Sequence, residues 1–125
     1  MNLGQFSLSL SVKDIEKSLA FYELFGLKVI DGGHMNQAYP DTPTEKWRIL
    51  QHESVVIGLF QGVFEKNMLT FNPQDVRAIQ KALKKAGVAL TQEADENTTG
   101  PASIMLEDPD GNPILFDQLT NIDRD

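Results

Sequence analysis

The sequence predicts an α+β domain built from two tandem βαβββ modules, and three observations predict it. First, Phe6 to Val12 alternates strictly, with Phe6, Leu8, Leu10 and Val12 on one face and Ser7, Ser9 and Ser11 on the other. That period of two marks a half-buried strand. Second, the strand–helix–glycine order that follows returns about half a chain later. Third, Asp108-Pro109-Asp110-Gly111 near the end is a strong turn signal, because proline pre-sets one φ and glycine supplies a positive one.

The elements follow in order. Asp14 is placed to cap a helix whose Ile15, Leu19 and Tyr22 form one apolar stripe, and Gly26 stops it. Leu27 to Ile30 reads as a strand, and the Gly- and Pro-rich stretch from Asp31 to Thr44 as a mobile loop. Trp47 to Leu50 and Val55 to Phe60 are strands separated by polar Gln51 to Ser54, and Gln61 to Lys66 joins the modules. The second module opens with Met68 to Phe71. Asn72-Pro73-Gln74-Asp75 starts a helix with Pro73 at its first position. Val76, Ile79 and Leu83 form its stripe, Gly87 stops it, and Val88 to Leu90 is extended. Ala102 to Leu106 and Ile114 to Gln118 flank the closing turn. A shift of 61 residues lays Asp14 on Asp75, Ile15 on Val76, Tyr22 on Leu83, Gly26 on Gly87 and Leu27 on Val88. The result is one domain over residues 1–125, with module one at about 5–62 and module two at about 65–120.

Composition excludes several functions. The chain has no cysteine, so a disulfide scaffold, a thiolate zinc site, an iron–sulfur cluster and a cysteine nucleophile are all ruled out. Apolar runs such as Val55 to Phe60 fall far short of the ~20 residues that span a bilayer, so no membrane partner is expected. Met1 to Gln5 carries no basic, apolar leader, which predicts a cytoplasmic protein. A formal net charge of −7 argues against nucleic acid, whose backbone needs a basic stripe. Lys81, Lys84 and Lys85 complement the C-terminal dipole of the second helix instead. An acidic surface mildly favours cationic or neutral small ligands.

Two motifs identify a family resemblance. Ser11-Val12-Lys13-Asp14-Ile15-Glu16-Lys17-Ser18-Leu19-Ala20-Phe21-Tyr22, with Leu24-Phe25-Gly26-Leu27 after it, resembles the opening of vicinal oxygen chelate proteins. These include glyoxalase I, bleomycin and fosfomycin resistance proteins and extradiol dioxygenases. Glu107-Asp108-Pro109-Asp110-Gly111-Asn112-Pro113 resembles their closing turn. The resemblance implies a cup-shaped sheet with flanking helices around a ligand site, often within a homodimer. It is specific for fold and nearly silent about reaction.

Metal-dependent members of that family place His or Glu at four inward strand positions. Counted from the motifs, these fall at Ser7, Gly58, Asn67 and Leu115. Gly58 and Leu115 offer no donor atom, and Ser7 and Asn67 offer only weak neutral oxygens. Their neighbours Phe6, Leu8, Ile57, Leu59, Met68, Ile114 and Phe116 are no better. The two histidines, His34 and His52, read as solvated turn residues. No metal, cofactor or catalytic residue is therefore expected, and the chain has no nucleophile elbow or phosphate loop.

Alternation then assigns the ligand-facing residues: Ser7, Ser9, Val56, Gly58, Phe60, Asn67, Leu69, Phe71, Leu115 and Asp117. Leu8, Leu10, Val55, Ile57, Leu59, Ile114 and Phe116 are expected under the helices. Trp47 is a candidate for the mouth, Tyr22 belongs to the helix core, and Arg48 pairs with a nearby acid. Small residues leave space between apolar walls, the composition of a small-ligand pocket. The competing reading is that Phe60, Phe71 and Leu115 fill that space. Asp117 is either an anchor for a cationic ligand or a solvated strand-end carboxylate. The favoured function is a metal-free small-molecule-binding protein of the bleomycin-resistance kind. The alternatives are a lactoylglutathione lyase-like or dioxygenase-like metalloenzyme and a non-catalytic oligomerisation module.

Overall fold

The computed structural model describes residues 1–121, and these form an α+β fold of seven strands and two helices. The chain divides into two compact units, Ser7–Asn67 and the segment from Met68 onward together with Met1–Phe6. No helix among the described residues is long and apolar enough to cross a membrane.

The first unit holds most of β1 (Gln5–Val12), then α1 (Ile15–Glu23), β2 (Lys28–Gly32), β3 (Lys46–His52) and β4 (Val55–Gln61). Its strand order is β2-β3-β4-β1, with β1 parallel to β4 and the other neighbours antiparallel. This is the expected βαβββ module. Ile15, Leu27, Leu50 and Leu59 form its core, with Leu10, Val12, Leu19, Tyr22 and Ile57 packed around them. The alternation of β1 turns Leu10 and Val12 toward this core, where they are half-buried, while Phe6 is exposed and Ser7 and Ser9 of the other face are buried.

Asp14 caps α1 by accepting from the backbone N–H groups of Glu16 and Lys17 at 3.2 Å. A second acceptor arrives from far along the chain: Gln61 Oε1 accepts from Ile15 N at 2.9 Å. Helix N-termini leave such donors open, so each bond removes a desolvation cost. Between β2 and β3, the Gly- and Pro-rich segment is fastened by Asp41. Its carboxylate pairs with Arg48 at 2.9 Å and accepts from Trp47 N at 3.3 Å, while Trp47 Nε1 donates to Tyr39 O at 2.8 Å. Arg48 thus pairs with an acid, as expected.

The second unit contains β5 (Met68–Asn72), α2 (Val76–Lys85), β6 (Ala102–Glu107) and β7 (Pro113–Gln118). β5 runs parallel to β7, and β6 pairs antiparallel with β7, in the order β5-β7-β6. Val76, Ile79, Ile104, Leu106 and Phe116 make the core. The capping device of the first unit is repeated here: Asp75 Oδ1 accepts from Ala78 N at 3.2 Å, and Gln118 Oε1 accepts from Val76 N at 3.0 Å. Gly26 and Gly87 end the two helices with φ of 89° and 82°, a region open to glycine at little cost.

Two local expectations are corrected. Pro73 is not the first helical residue. Asp75 is the cap and α2 begins at Val76, because the Asp75 side chain captures the open Ala78 donor. Val88 to Leu90 forms no strand. Val88 and Leu90 pack on the α2 core, and pairing is reduced to an isolated bridge between Gln92 and Met105. The polar segment beyond is tied to α2 by side chains instead. Arg77 donates to Asp95 O, Gly100 O and Thr98 Oγ1, and Gln80 exchanges bonds with Ala94. Those side-chain bonds replace the ladder that a full strand would have made.

Candidate functional site

Each unit has one sheet face covered by its helix and one free of it. In the first unit, register and alternation put Ser7, Ser9 and Ser11 of β1, Val56, Gly58 and Phe60 of β4, and Trp47 and Ile49 of β3 on the helix-free face. These include the expected Ser7, Ser9, Trp47, Gly58 and Phe60. Ser7 and Ser9 are buried, at 6% and 2% exposure. Ser11 Oγ donates to Phe64 O at 2.6 Å, and Ser11 N donates to Asn67 Oδ1 at 2.9 Å.

The space at Gly58 is used. A Cβ built there would meet Phe60 Cε2 at 2.5 Å and Ile49 Cδ1 at 3.2 Å, so the Phe60 ring folds back across the glycine. Trp47 lies parallel to that ring (6.4 Å between centroids, 6° between planes), and Phe64 meets it at 5.0 Å and 61°. The first unit therefore presents an aromatic wall where the sequence suggested room left by a small residue. Tertiary packing decides this, since β4 alone does not reveal which rotamer Phe60 takes.

In the second unit the helix-free face carries Met68 and Thr70 of β5, Ser103 and Met105 of β6, and Leu115 and Asp117 of β7. Leu115 and Asp117 stand where expected. Leu69 and Phe71 do not: Leu69 pairs with Ile114 and Phe71 with Phe116, which places both on the helix-bearing side. Phe71 packs in the α2 core, stacked on Phe116 at 5.1 Å and against Phe6 at 5.3 Å. Asn67 precedes β5, in the first unit, where its amide oxygen serves Ser11. The cause is a single-residue error of register, which exchanges every side chain between the faces. The repeat itself carries the right answer, because the shift of 61 residues lays Ser7 on Met68 and Ser9 on Thr70. The same slip hides Thr70, while Ser103 and Met105 lie on β6, where the alternation assigned no ligand-facing residue.

The strand positions where the family resemblance implies divalent-ion ligands read Ser7 and Gly58 in the first unit and, on the corrected register of β5, Met68 and Leu115 in the second. They present a hydroxyl, no side chain, a thioether and an isobutyl group. Catalytic divalent ions are held by imidazole and carboxylate, with sulfur ligands supplied as thiolate, so this donor set does not fit one. His34 and His52 are both exposed. Among the described residues no three His, Asp or Glu side chains come together as a metal site.

Asp117 is the charged group of the second face. Its backbone carbonyl accepts from Asn72 Nδ2 at 2.9 Å, but its carboxylate bonds to no described residue. Asp117 is half-buried, and that burial pushes its carboxyl above the usual range. Asp108, in the closing turn, shows the opposite behaviour. It accepts from the Asn112 side chain at 2.8 Å and from the Asn112 and Asp110 backbone at 2.9 Å, which lowers its carboxyl. A hollow of about 290 Å³ between Met1, Asn2 and the N-terminal half of α2 is lined by none of the helix-free face residues.

Comparison with known proteins adds the family. The model for the Glyoxalase/Bleomycin resistance protein/Dioxygenase superfamily matches residues 4–116. A hypothetical protein from Bacillus halodurans C-125 superposes with a TM-score of 0.69 at 16% identity, covering 95% of this chain and 96% of its own. Methylmalonyl-CoA epimerase from Streptomyces coelicolor gives 0.65 at 15% identity, over 94% of this chain and 98% of its own. A member of the same superfamily from Vibrio splendidus 12B01 gives 0.61 at 18% identity, over 91% and 97%. At such identities these structures establish a shared fold.

Proposed function

The chain belongs to the glyoxalase/bleomycin resistance protein/dioxygenase superfamily, and from that membership we propose that it binds a small molecule without a catalytic metal. One observation carries the reading, the absence of imidazole or carboxylate at Ser7, Gly58, Met68 and Leu115. Metal-assisted chemistry needs an ion that polarises a substrate oxygen or activates water, and such an ion needs strong ligands. Binding is the function that the remaining side chains support.

Those side chains suit binding. Trp47, Phe60 and Phe64 offer a broad π surface whose rings are already held by one another, so little rotamer freedom is lost on contact. The helix-free faces also carry the Ser7 hydroxyl and, beside Asp117, the aliphatic Leu115, both buried in the free chain. A mostly apolar surface with a few placed polar groups is how small-molecule sites gain both affinity and orientation.

The test has two arms. After dialysis against Ni²⁺, Zn²⁺, Fe²⁺ or Mn²⁺, metal analysis is expected to find substoichiometric metal. In a thermal-shift screen of small aromatic, cationic and hydroxamate compounds, a true ligand raises the midpoint. At a hundredfold excess over Kd the stabilisation is about 2.7 kcal/mol. Stoichiometric metal that Ser7→Ala removes, or a screen with no shift from any class, overturns the reading.

A further inference from the structure

We propose that the Asp117 carboxylate is a recognition point for an organic cation, a compact apolar body bearing a protonated amine, an inference that rests on the small-molecule-binding reading above. The geometry begins with β7. Asp117 stands one alternation beyond Leu115 on the helix-free face, directly across from Ser103, with Met105 opposite Leu115. A carboxylate at the edge of an aliphatic patch matches an ammonium group attached to an apolar body.

No described group already fills that role. The Asp117 carboxylate has no hydrogen bond or ion pair with any described residue. Two cations of the same unit, Arg77 and Lys84, are engaged elsewhere. The Arg77 guanidinium is held by Asp95 O, Gly100 O and Thr98 Oγ1 at 2.7–2.9 Å, and Lys84 pairs with Glu93 at 2.8 Å. Ser103 Oγ, the neighbour across the strand pair, accepts from Gln92 Nε2 at 2.7 Å.

An unpaired, half-buried carboxylate costs the free protein part of its hydration without a compensating bond. A ligand ammonium supplies that bond and is charge-assisted, the stronger kind. Perturbed carboxyls of this sort concentrate at functional sites. The long-range field acts in the same direction, because a chain of net charge −7 attracts cations and repels carboxylates and phosphates. Geometry, missing partner and field all select the same ligand class.

Three probes on one phenethyl body test it on the full chain: phenethylamine, 2-phenylethanol and 3-phenylpropionate, each titrated at neutral pH and followed by amide NMR shifts. Phenethylammonium is expected to move the amides of Ser103, Leu115 and Asp117 and to bind about tenfold or more tighter than the alcohol. Asp117→Asn is expected to erase that preference while keeping the alcohol's affinity. Equal affinity for amine and alcohol, a preference for the carboxylate, or an amine preference that survives Asp117→Asn overturns the cation proposal and leaves small-molecule binding standing. Failure of all three probes to move any amide on either helix-free face overturns both. The wild-type comparison of amine with alcohol decides the matter even where the variant does not fold.

Discussion

The two halves of this chain share their scaffold and differ in the sheet faces that their helices leave uncovered. In each, an aspartate caps the helix, a strand-end glutamine reaches back to the helix's first N–H, and a glycine ends it. Yet one helix-free face is an aromatic wall of Trp47, Phe60 and Phe64, while the other is aliphatic with one carboxylate. The shared parts satisfy backbone donors and bury cores, needs that any copy of the module has. The divergent faces also bury residues such as Val56, Met68 and Leu115, but the shared caps and helix-facing cores do not dictate their side chains, so the proposed ligand recognition is assigned to them.

The comparison can be broken first at the cores. Leu59 and Ile104 are both fully buried, one in each unit. If the scaffold is equivalent in the two halves, Leu59→Ala and Ile104→Ala each cost about 2–5 kcal/mol in urea unfolding. A loss confined to one of them would show that the halves do not share the burden of stability. The glutamines sharpen the point. The bond from Val76 N to Gln118 is buried, whereas that from Ile15 N to Gln61 is only partly so. Gln118→Ala is therefore expected to cost about 1–3 kcal/mol, the penalty for an orphaned buried donor, and Gln61→Ala clearly less. The reverse order would mean that water reaches the α2 terminus.

Gly58 probes the first face directly. A methyl group there pushes on the Phe60 ring and on Ile49. Gly58→Ala is expected to cost about 1–3 kcal/mol, the usual scale of overpacking, and Phe60→Leu in the same chain to recover most of it. Equilibrium unfolding of the two single variants and the double reads this as a coupling. Additive effects would place the Phe60 ring away from Gly58.

How much of this was legible in the sequence depends on the range of the interaction involved. The face of β1, the caps at Asp14 and Asp75 and the stops at Gly26 and Gly87 were legible, because each is set within a few residues by period or by backbone conformation. The apolar contacts of Leu10, Leu59 and Phe116 followed from the same period. Pro73 misled, since proline preference competes with an aspartate two residues later that has an open N–H to capture. Leu69, Phe71 and Asn67 were misplaced by one residue although the 61-residue shift held the correct register. Counting from the motifs crosses a junction where the repeat is the better ruler. Gln61 and Gln118 were out of reach, because their partners lie 46 and 42 residues away. The folded-back Phe60 ring was out of reach for the same reason, being fixed only by packing across strands.

The smallest expected effect separates the two acids of the second unit. Burial raises the Asp117 carboxyl above its ordinary value of 3.8, so the folded chain holds that proton more tightly than the unfolded chain. The stability it contributes is present below 3.8 and is lost as pH rises through the folded value. Hydrogen bonds from Asn112, on the side chain first and the backbone second, lower Asp108, so its contribution is present above 3.8 and is lost as pH falls through its folded value. At neutral pH, Asp117→Asn is therefore expected to raise the unfolding midpoint modestly and Asp108→Ala to lower it. Both differences shrink as the pH falls below the ordinary carboxyl value. Midpoints measured at neutral and acid pH for the two variants check the signs. A destabilised Asp117→Asn would mean that the carboxylate already has a partner in the free protein. A stabilised one would mark a group whose cost is relieved from outside, as a cationic ligand would do.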